Sequence, residues 1–276
     1  MKKPMFKIMV LLSCILLGVV ACEDDIDSTA VAPEQLPTDD APEVDGRTEL
    51  FLVKKIEKNG HEFQFITDGE NIDIIERLPA DEVNVPGFLE ENDDKTPFDI
   101  FVSLTGREVA VPKVIANTAK GSALTAVDRQ IDYSNNFTTL ADDAFGISNE
   151  NTRTSGCTDV GKDSFYDNYC MPPVVSTPSS IEFCDNGEWI KNVRQSVYDG
   201  SWRNVKKITT RTNVICGRTR IKLLEWDGSR WKLYHQVDFR NGVWVWKQYR
   251  SQAKRRRVER TQHDGGSFRA FTRFFN

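Results

Sequence analysis

The residues best suited to chemistry lie near the C-terminus, where aromatic and basic side chains occur together. Trp244 and Trp246 are two positions apart in "VWVWKQY", so on a strand they point to the same side, about 7 Å apart. A basic run follows, formed by Lys254, Arg255, Arg256 and Arg257. Guanidinium groups pair bidentately with carboxylates, sulfates and phosphates, so this pattern predicts an aromatic platform with a basic rim for an anionic ligand such as a glycan. The alternative is that the tryptophans fill a core and the basic residues protect strand edges from aggregation.

The other side chains predict no catalytic centre, no metal site and no cofactor. The three histidines, His61, His235 and His263, lack the close spacing of a zinc site, and an apolar strand face predicts a core position for His235. The stretch "GCTDVGKDS" departs from a phosphate-binding loop at Asp163, where a hydroxyl must contact magnesium. Abundant acids, as in "EENDD" at 90–94, leave open a calcium loop or a hydrolase with dispersed carboxylates.

The start of the chain, at 1–21, has the organisation of a secretory signal, with a basic head followed by an apolar run from Ile8 to Val20. That run is shorter than the roughly 20 residues of a membrane-spanning helix. The next stretch, "VVAC" at Val19–Cys22, resembles the lipobox of bacterial lipoproteins. The resemblance implies cleavage before Cys22 and a diacylglycerol anchor on its sulfur. Two or three acyl chains hold a protein durably on a membrane.

The acidic residues after the anchor carry a second resemblance. "CEDD", Cys22–Asp25, resembles Gram-negative lipoproteins in which acids directly after the cysteine signal display on the outer face of the outer membrane. This implies an outer-membrane protein exposed at the cell surface, with the periplasmic leaflet as the alternative.

Four further cysteines, Cys157, Cys170, Cys184 and Cys216, lie in the second half of the chain. An even number of cysteines in one exported domain predicts disulfides, and four cysteines allow three pairings. We favour Cys157 with Cys170 and Cys184 with Cys216. Their wide spacing along the sequence supplies no close pair for zinc.

Charge divides the chain into two parts. Residues 23–150 carry 10 Lys and Arg against 29 Asp and Glu, whereas residues 151–276 carry 23 against 12. The balance is therefore −19 in the first part and +11 in the second, and all six tryptophans lie in the second part. Parts of opposite charge predict either docking of one on the other or a charged surface for a partner.

These features predict a signal peptide at 1–21, an anchor with a disordered acidic tether at 22–46, an acidic β-rich domain at 47–140, a linker at 141–155 and a basic, Trp-rich domain at 156–276. Period-2 alternation predicts strands in "HEFQFI", "NIDIIERL", "PFDIFVSLT" and "WKLYHQVDF". Asn59-Gly60, Asp227-Gly228 and Asn241-Gly242 predict turns. The expected fold is mainly β, with an antiparallel sandwich or jelly roll at the C-terminus.

The sequence as a whole predicts a membrane-anchored binding or adhesion protein for an anionic polysaccharide or a protein partner. The alternatives are an accessory subunit of an envelope complex and an envelope hydrolase. Nucleic acid would use the same basic residues, but an envelope location argues against it as a partner.

Overall fold

The computed structural model describes residues 49–107, 109–121, 138–139, 174–176, 180–184, 190–191, 194–198 and 204–275. The first elements are β1 (Phe51–Lys58), β2 (His61–Thr67), β3 (Ile72–Leu78), a 3-10 helix (Ala80–Glu82), α1 (Phe88–Glu91), α2 (Pro97–Thr105), α3 (Lys113–Ala116) and β4 (Thr138–Thr139). They are followed by β5 (Val174–Ser176), β6 (Ser180–Cys184), β7 (Ile190–Lys191), β8 (Arg194–Tyr198), β9 (Val205–Trp226), β10 (Trp231–Lys254) and β11 (Arg256–Phe275). The prediction of a mainly β protein is confirmed. The leader, Cys22 and the acidic tether lie outside the described residues.

The strands belong to one antiparallel sheet in the order β4-β1-β2-β3-β10-β9-β11-β6-β5, with β7 and β8 also paired with β11. Strand β3 pairs with β10 along a ladder that begins with Leu78 opposite Val243 and ends with Ile72 opposite Tyr249. Strands from the two predicted domains, at 47–140 and 156–276, therefore share this sheet. The predicted linker at 141–155 lies outside the described residues.

Strands β9, β10 and β11 are unusually long, because strands in globular proteins usually have only about 3–10 residues. The pairing register with β9 shifts between Arg240 and Gly242 in β10 and between His263 and Ser267 in β11. Both shifts follow a residue that pairs with Arg218, so they lie at the same place along β9. The chain bends back there, because the rings of Phe239 and Trp244 lie 4.9 Å apart on either side of the shift. Bulges commonly let strands turn such corners. The described strands thus form one sheet that folds over itself, and the expected two-sheet sandwich stays a prediction.

The described residues form two hydrophobic cores, on opposite faces of the sheet. The first packs strand residues against the three helices and includes Phe63, Phe65, Ile74, Leu89, Phe98, Phe101, Ile115 and Val245. The second lies between the two halves of the bent strands and includes Ile66, Ile75, Ile208, Ile221, Val237, Phe239, Trp244, Trp246 and Val258. In the described residues, no helix is long and apolar enough to cross a membrane.

Two predicted turns are confirmed and one is wrong. Asn59 and Gly60, with φ of 53° and 82°, connect β1 to β2, and Gly228, with φ of 105°, lies between β9 and β10. Gly242 has a φ of 134° but lies inside β10, where it forms part of the bend. An Asn-Gly pair therefore marks a corner of the strand here, not a hairpin.

The predicted strand "PFDIFVSLT" is also wrong, because these residues form helix α2. Thr96 caps the helix, since its hydroxyl accepts a hydrogen bond from the Asp99 backbone N–H, and Pro97 occupies the first turn. Such a capping box followed by proline is a helix-start signal that outweighs a short alternating pattern.

Candidate ligand-binding site

Trp244 and Trp246 do not form an exposed platform, because only 3% and 0% of their surface is accessible. Their side chains point between the folded halves of the sheet, where each indole N–H has a partner. Trp244 Nε1 donates to the Arg240 carbonyl at 2.9 Å and Trp246 Nε1 donates to Asp73 at 3.1 Å. The predicted spacing on one side of the strand is present, but that side faces the core.

The four predicted basic residues have different environments. Arg256 and Arg257 are buried and pair with Glu225 and Glu259, respectively. Burial lowers the pKa of Arg256, although Glu225 opposes this effect. Lys254 and Arg255 are half-buried, and Lys254 Nζ lies 3.0 Å from Glu225. Of the four, only Lys254 and Arg255 therefore reach the surface.

A different pair of tryptophans combines with Arg255 near the surface. Trp226, Trp231, Arg255 and Arg257, here called the Trp–Arg cluster, meet where β9, β10 and β11 lie side by side. The two indoles are 5.5 Å apart at an interplanar angle of 64°. The Arg255 guanidinium lies 5.4 and 5.8 Å from the two ring centroids, and that of Arg257 lies 5.2 Å from Trp231. These distances are within the range of cation–π attraction.

The β9–β10 turn holds the two tryptophans opposite each other. Trp226 and Trp231 are direct partners in the ladder. The Asp227 carboxylate accepts hydrogen bonds from the backbone N–H groups of Ser229 and Arg230, both at 2.9 Å. A hydrogen bond from Lys232 is the main reason why the pKa of Asp227 is lowered. This turn is held by local contacts, so the indole pair is already formed before any ligand arrives.

A β-bulge explains why Trp231 lies outside the core although alternation groups it with Val237 and Phe239. The register of β10 against β9 shifts between Leu233 and His235. Residues beyond the shift enter the second core, as Val237 and Phe239 do, whereas Trp231 contacts Trp226 and the arginines. A one-residue slip moves every later side chain to the other face of a strand. Alternation alone does not reveal such a slip.

Buried contacts fix the backbone on both sides of Arg255. Glu225, with 7% of its surface accessible, pairs with Lys254 and with Arg256. The Arg255 carbonyl accepts a hydrogen bond from the Trp226 backbone N–H at 3.0 Å. The guanidinium of Arg255 is thus positioned over the indoles by its neighbours in the chain. Two further cations, Arg230 and Lys232, lie at the β9–β10 turn on the rim of the Trp–Arg cluster, and their side chains are 60% and 56% exposed.

A cleft of about 470 Å³ lies beside the β1–β2 turn, away from the Trp–Arg cluster. It is lined by Glu57, Lys58, Asn59, Gly60, His61, Glu62, Arg77, Leu78 and Pro79. His61 Nδ1 lies 2.6 Å from Glu76 and its Nε2 lies 2.8 Å from Glu82. The hydrogen bond to Glu76 raises the pKa of His61, and burial opposes that rise. No spacing of residues along the chain predicted this arrangement.

His235 occupies the predicted core position, with 6% of its surface accessible. Burial lowers the pKa of His235 to about 4, so the ring is neutral at pH 7. Its Nε2 lies 3.6 Å from Asp73, which also binds Arg250 and Trp246. This buried polar group joins the two layers of the folded sheet. Among the described residues, no three His, Cys, Asp or Glu side chains are grouped to hold a metal ion.

The described part of the chain does not test the predicted disulfides. Cys157 and Cys170 lie outside it, whereas Cys184 ends β6 and Cys216 belongs to β9. These two strands pair with opposite edges of β11. Both pairings, Cys157 with Cys170 and Cys184 with Cys216, stay a prediction.

Comparisons with known proteins add no functional information. No protein-family model matches the chain, and no curated protein matches it. Among solved structures, the crystal structure of PirA aligns with 37% of this chain and 97% of its own length, at 16% identity and a TM-score of 0.23. A TM-score this low supports no inference about fold or function.

Proposed function

We propose that this protein is a lipid-anchored lipoprotein of the outer membrane, displayed at the cell surface, that binds an anionic polysaccharide without catalysing a reaction. The Trp–Arg cluster is its contact surface. The observation that carries the proposal is the partly exposed pair of indoles 5.5 Å apart with the Arg255 guanidinium against both rings. The lipobox-like "VVAC" and the acids after Cys22 support the location.

The chemistry of the cluster suits a sugar that bears carboxylate or sulfate groups. The exposed part of an indole offers a flat apolar surface for the C–H face of a sugar ring, and aromatic residues dominate binding energies at interfaces. Arg255 supplies two parallel N–H donors for the anionic group. Lys232 and Arg230 at the rim favour an extended polyanion over a single charged group.

Binding of the intact protein to immobilised polysaccharides tests the proposal. Matched sulfated, uronic-acid and neutral glycans are compared at increasing salt. We expect the sulfated or uronic polymers to bind and their affinity to fall with salt, because exposed charges are screened beyond about 10 Å at 0.1 M ionic strength. Trp231→Ala and Arg255→Ala should each weaken binding roughly tenfold, the loss of about 1.4 kcal/mol of contact.

Lys55→Ala is the matched control, because Lys55 is half-exposed on β1 and its removal takes away one positive charge outside the cluster. It should bind as the unaltered protein does. Equal binding of neutral glycans, or unchanged affinity in Trp231→Ala with the fold intact, would contradict the proposal. Binding only to a purified envelope protein would replace the glycan with a protein partner.

Membrane attachment is tested separately by Cys22→Ala. We expect the altered protein to leave the membrane fraction, because no acyl chains are then attached. Protease treatment of whole cells that degrades the unaltered protein supports display on the outer face, whereas protection places it on the periplasmic leaflet.

A further inference from the structure

Residues 79–95 connect β3 to α2 and cover part of the sheet. The segment contains the 3-10 helix and α1, and its Leu89 belongs to the first hydrophobic core. Several of its backbone N–H groups bond within the segment, as Glu82 N does to Pro79 O and Lys95 N does to Asn92 O. Among the described residues it forms no ladder with the strands, so side chains from the sheet attach it.

His61 on β2 is one of these attachments and joins two carboxylates from different elements. Its Nδ1 lies 2.6 Å from Glu76 on β3, and its Nε2 lies 2.8 Å from Glu82 in the 3-10 helix. A carboxylate ion only accepts hydrogen bonds, and a neutral imidazole has only one N–H. Both contacts are therefore hydrogen bonds only when the ring carries two protons.

The two carboxylates differ in how firmly they are held. Glu76 is fully buried, and it also accepts hydrogen bonds from the backbone N–H groups of Phe88 and Leu89 at 2.8 Å. Glu82 is 33% exposed, so water can reach its carboxylate. When the ring loses a proton, the remaining N–H stays with the fixed Glu76. The other nitrogen then presents a lone pair to Glu82, which can turn toward water.

We infer that His61 is a pH-dependent clamp, which ties the Glu82 side chain of the 3-10 helix to the sheet when it is protonated and loosens that end of the segment when it is not, while Arg211 still holds the carbonyls of Val83 and Val85. This inference does not depend on the proposed function.

Charged groups from every neighbouring element act on the clamp. Glu76 and Arg77 come from β3, Glu82 from the 3-10 helix, Glu90 from α1, Glu62 from β2, Glu57 and Lys58 from β1, and Arg211 from β9, where it donates to the Glu82 carbonyl and pairs with Glu90. The pKa of His61 is raised chiefly by Glu76. A raised histidine pKa stabilises the folded state fully below about pH 6.5, and this contribution is lost as the pH rises through the folded-state value.

Lys247 contacts the far end of the same segment and titrates with the opposite effect. This fully buried amine donates to the carbonyls of Leu89 and Asn92, and burial lowers its pKa to about 7. A lowered lysine pKa makes the fold more stable as the pH rises from about 7 toward 10.4, because the unfolded chain then binds more protons. The two ends of the segment should therefore respond differently to pH.

Hydrogen exchange measured by mass spectrometry on the intact protein at pH 5.5 and pH 8.5 tests the clamp. After correction for intrinsic exchange rates, peptides within 79–86 should lose roughly three- to tenfold of their protection at the higher pH. That loss corresponds to one partly exposed, charge-assisted hydrogen bond. Peptides within 88–95 should not show this loss.

His61→Gln and Glu82→Gln should each give low protection in 79–86 at both pH values. Glu91→Gln, an exposed change in the same segment, is the matched control and should keep the full pH response. A wild-type protein with equal protection at both pH values, or a His61→Gln protein that keeps the pH response, would overturn the inference.

Discussion

Gly87 shows how closely the segment at 79–95, which covers part of the sheet, approaches the strands. A Cβ atom at this position would lie 2.7 Å from Glu76 Oε2 and 3.1 Å from Val245 Cγ2. Glu76 has little room to move, because it is held by His61 and by the N–H groups of Phe88 and Leu89. The side chain that a larger residue must displace is therefore one that joins three elements.

Gly87→Ala is expected to lower the free energy of unfolding by about 1–3 kcal/mol, the usual cost of overpacking. Urea unfolding followed by circular dichroism measures this change. Val85→Ala removes an exposed side chain from the same segment, with 48% of its surface accessible, and should stay within about 0.5 kcal/mol of the unaltered protein. A Gly87→Ala protein as stable as Val85→Ala would show that Glu76 can move away.

At the residue scale, the sequence predicted tryptophans beside basic residues but not which of them meet near the surface. Two tryptophans beside arginines are present, yet the pair is Trp226 with Trp231 and not Trp244 with Trp246. Alternation shows which residues share a side of a strand. It does not show which side faces the core, and both the bend near Gly242 and the bulge before His235 change that assignment.

At the element scale, the strands that lie next to turn residues in the sequence could be predicted, and the helices could not. The strands β2 and β3 match "HEFQFI" and "NIDIIERL" because their apolar alternation lies next to real turns. Helix α2 shares that alternation, since Phe98, Ile100 and Leu104 are buried. Phe101 is buried as well, however, so its buried face follows helical spacing.

Thr96 tests whether the capping box specifies this helix. Its hydroxyl accepts from Asp99 N at 3.2 Å, and its own N–H donates to the Asp99 carboxylate at 3.2 Å. Thr96→Ala should lower the free energy of unfolding by about 1 kcal/mol, the typical cost of losing an N-cap. Urea unfolding measures the loss. Thr96→Ser keeps the hydroxyl and should recover most of it; if both variants lose equally, the cap is not what stabilises α2.

At the scale of the whole molecule, the opposed charges of the two halves are partly used inside the fold. Acidic residues 90–94 lie on basic strands: Arg211 binds Glu90, and Asp93 contacts Thr209, Lys247 and Arg273. Docking of one half on the other was one of the two alternatives that the charge balance predicted. The charge balance did not predict a shared sheet, because β3 and β10 lie far apart along the chain and nothing local encodes their partnership.

The Arg211–Glu90 pair tests how much this internal docking contributes. The two side chains are 0% and 1% exposed and lie 2.5 Å apart, and Arg211 also donates to the carbonyls of Val83 and Val85 at 2.7 and 2.8 Å. Arg211→Met removes these three contacts and leaves the buried Glu90 carboxylate without its cation, so a loss of about 3–5 kcal/mol in the free energy of unfolding is expected. Burial raises the pKa of Glu90 despite Arg211. Glu90→Gln resembles the protonated, neutral form of this side chain, so it should lower the free energy of unfolding by less than Arg211→Met does.

A double-mutant cycle separates the pair from its surroundings. The combined Arg211→Met, Glu90→Gln protein should be more stable than the sum of the single losses predicts, by about 1 kcal/mol or more, because no buried carboxylate is then left without its cation. Arg230→Met, at an exposed position, is the charge-matched control and should change stability by less than about 0.5 kcal/mol. Additive losses in urea unfolding would mean that Arg211 stabilises the fold only through its hydrogen bonds to the carbonyls of Val83 and Val85. The opposite charges would then guide docking without adding to the stability of the docked state.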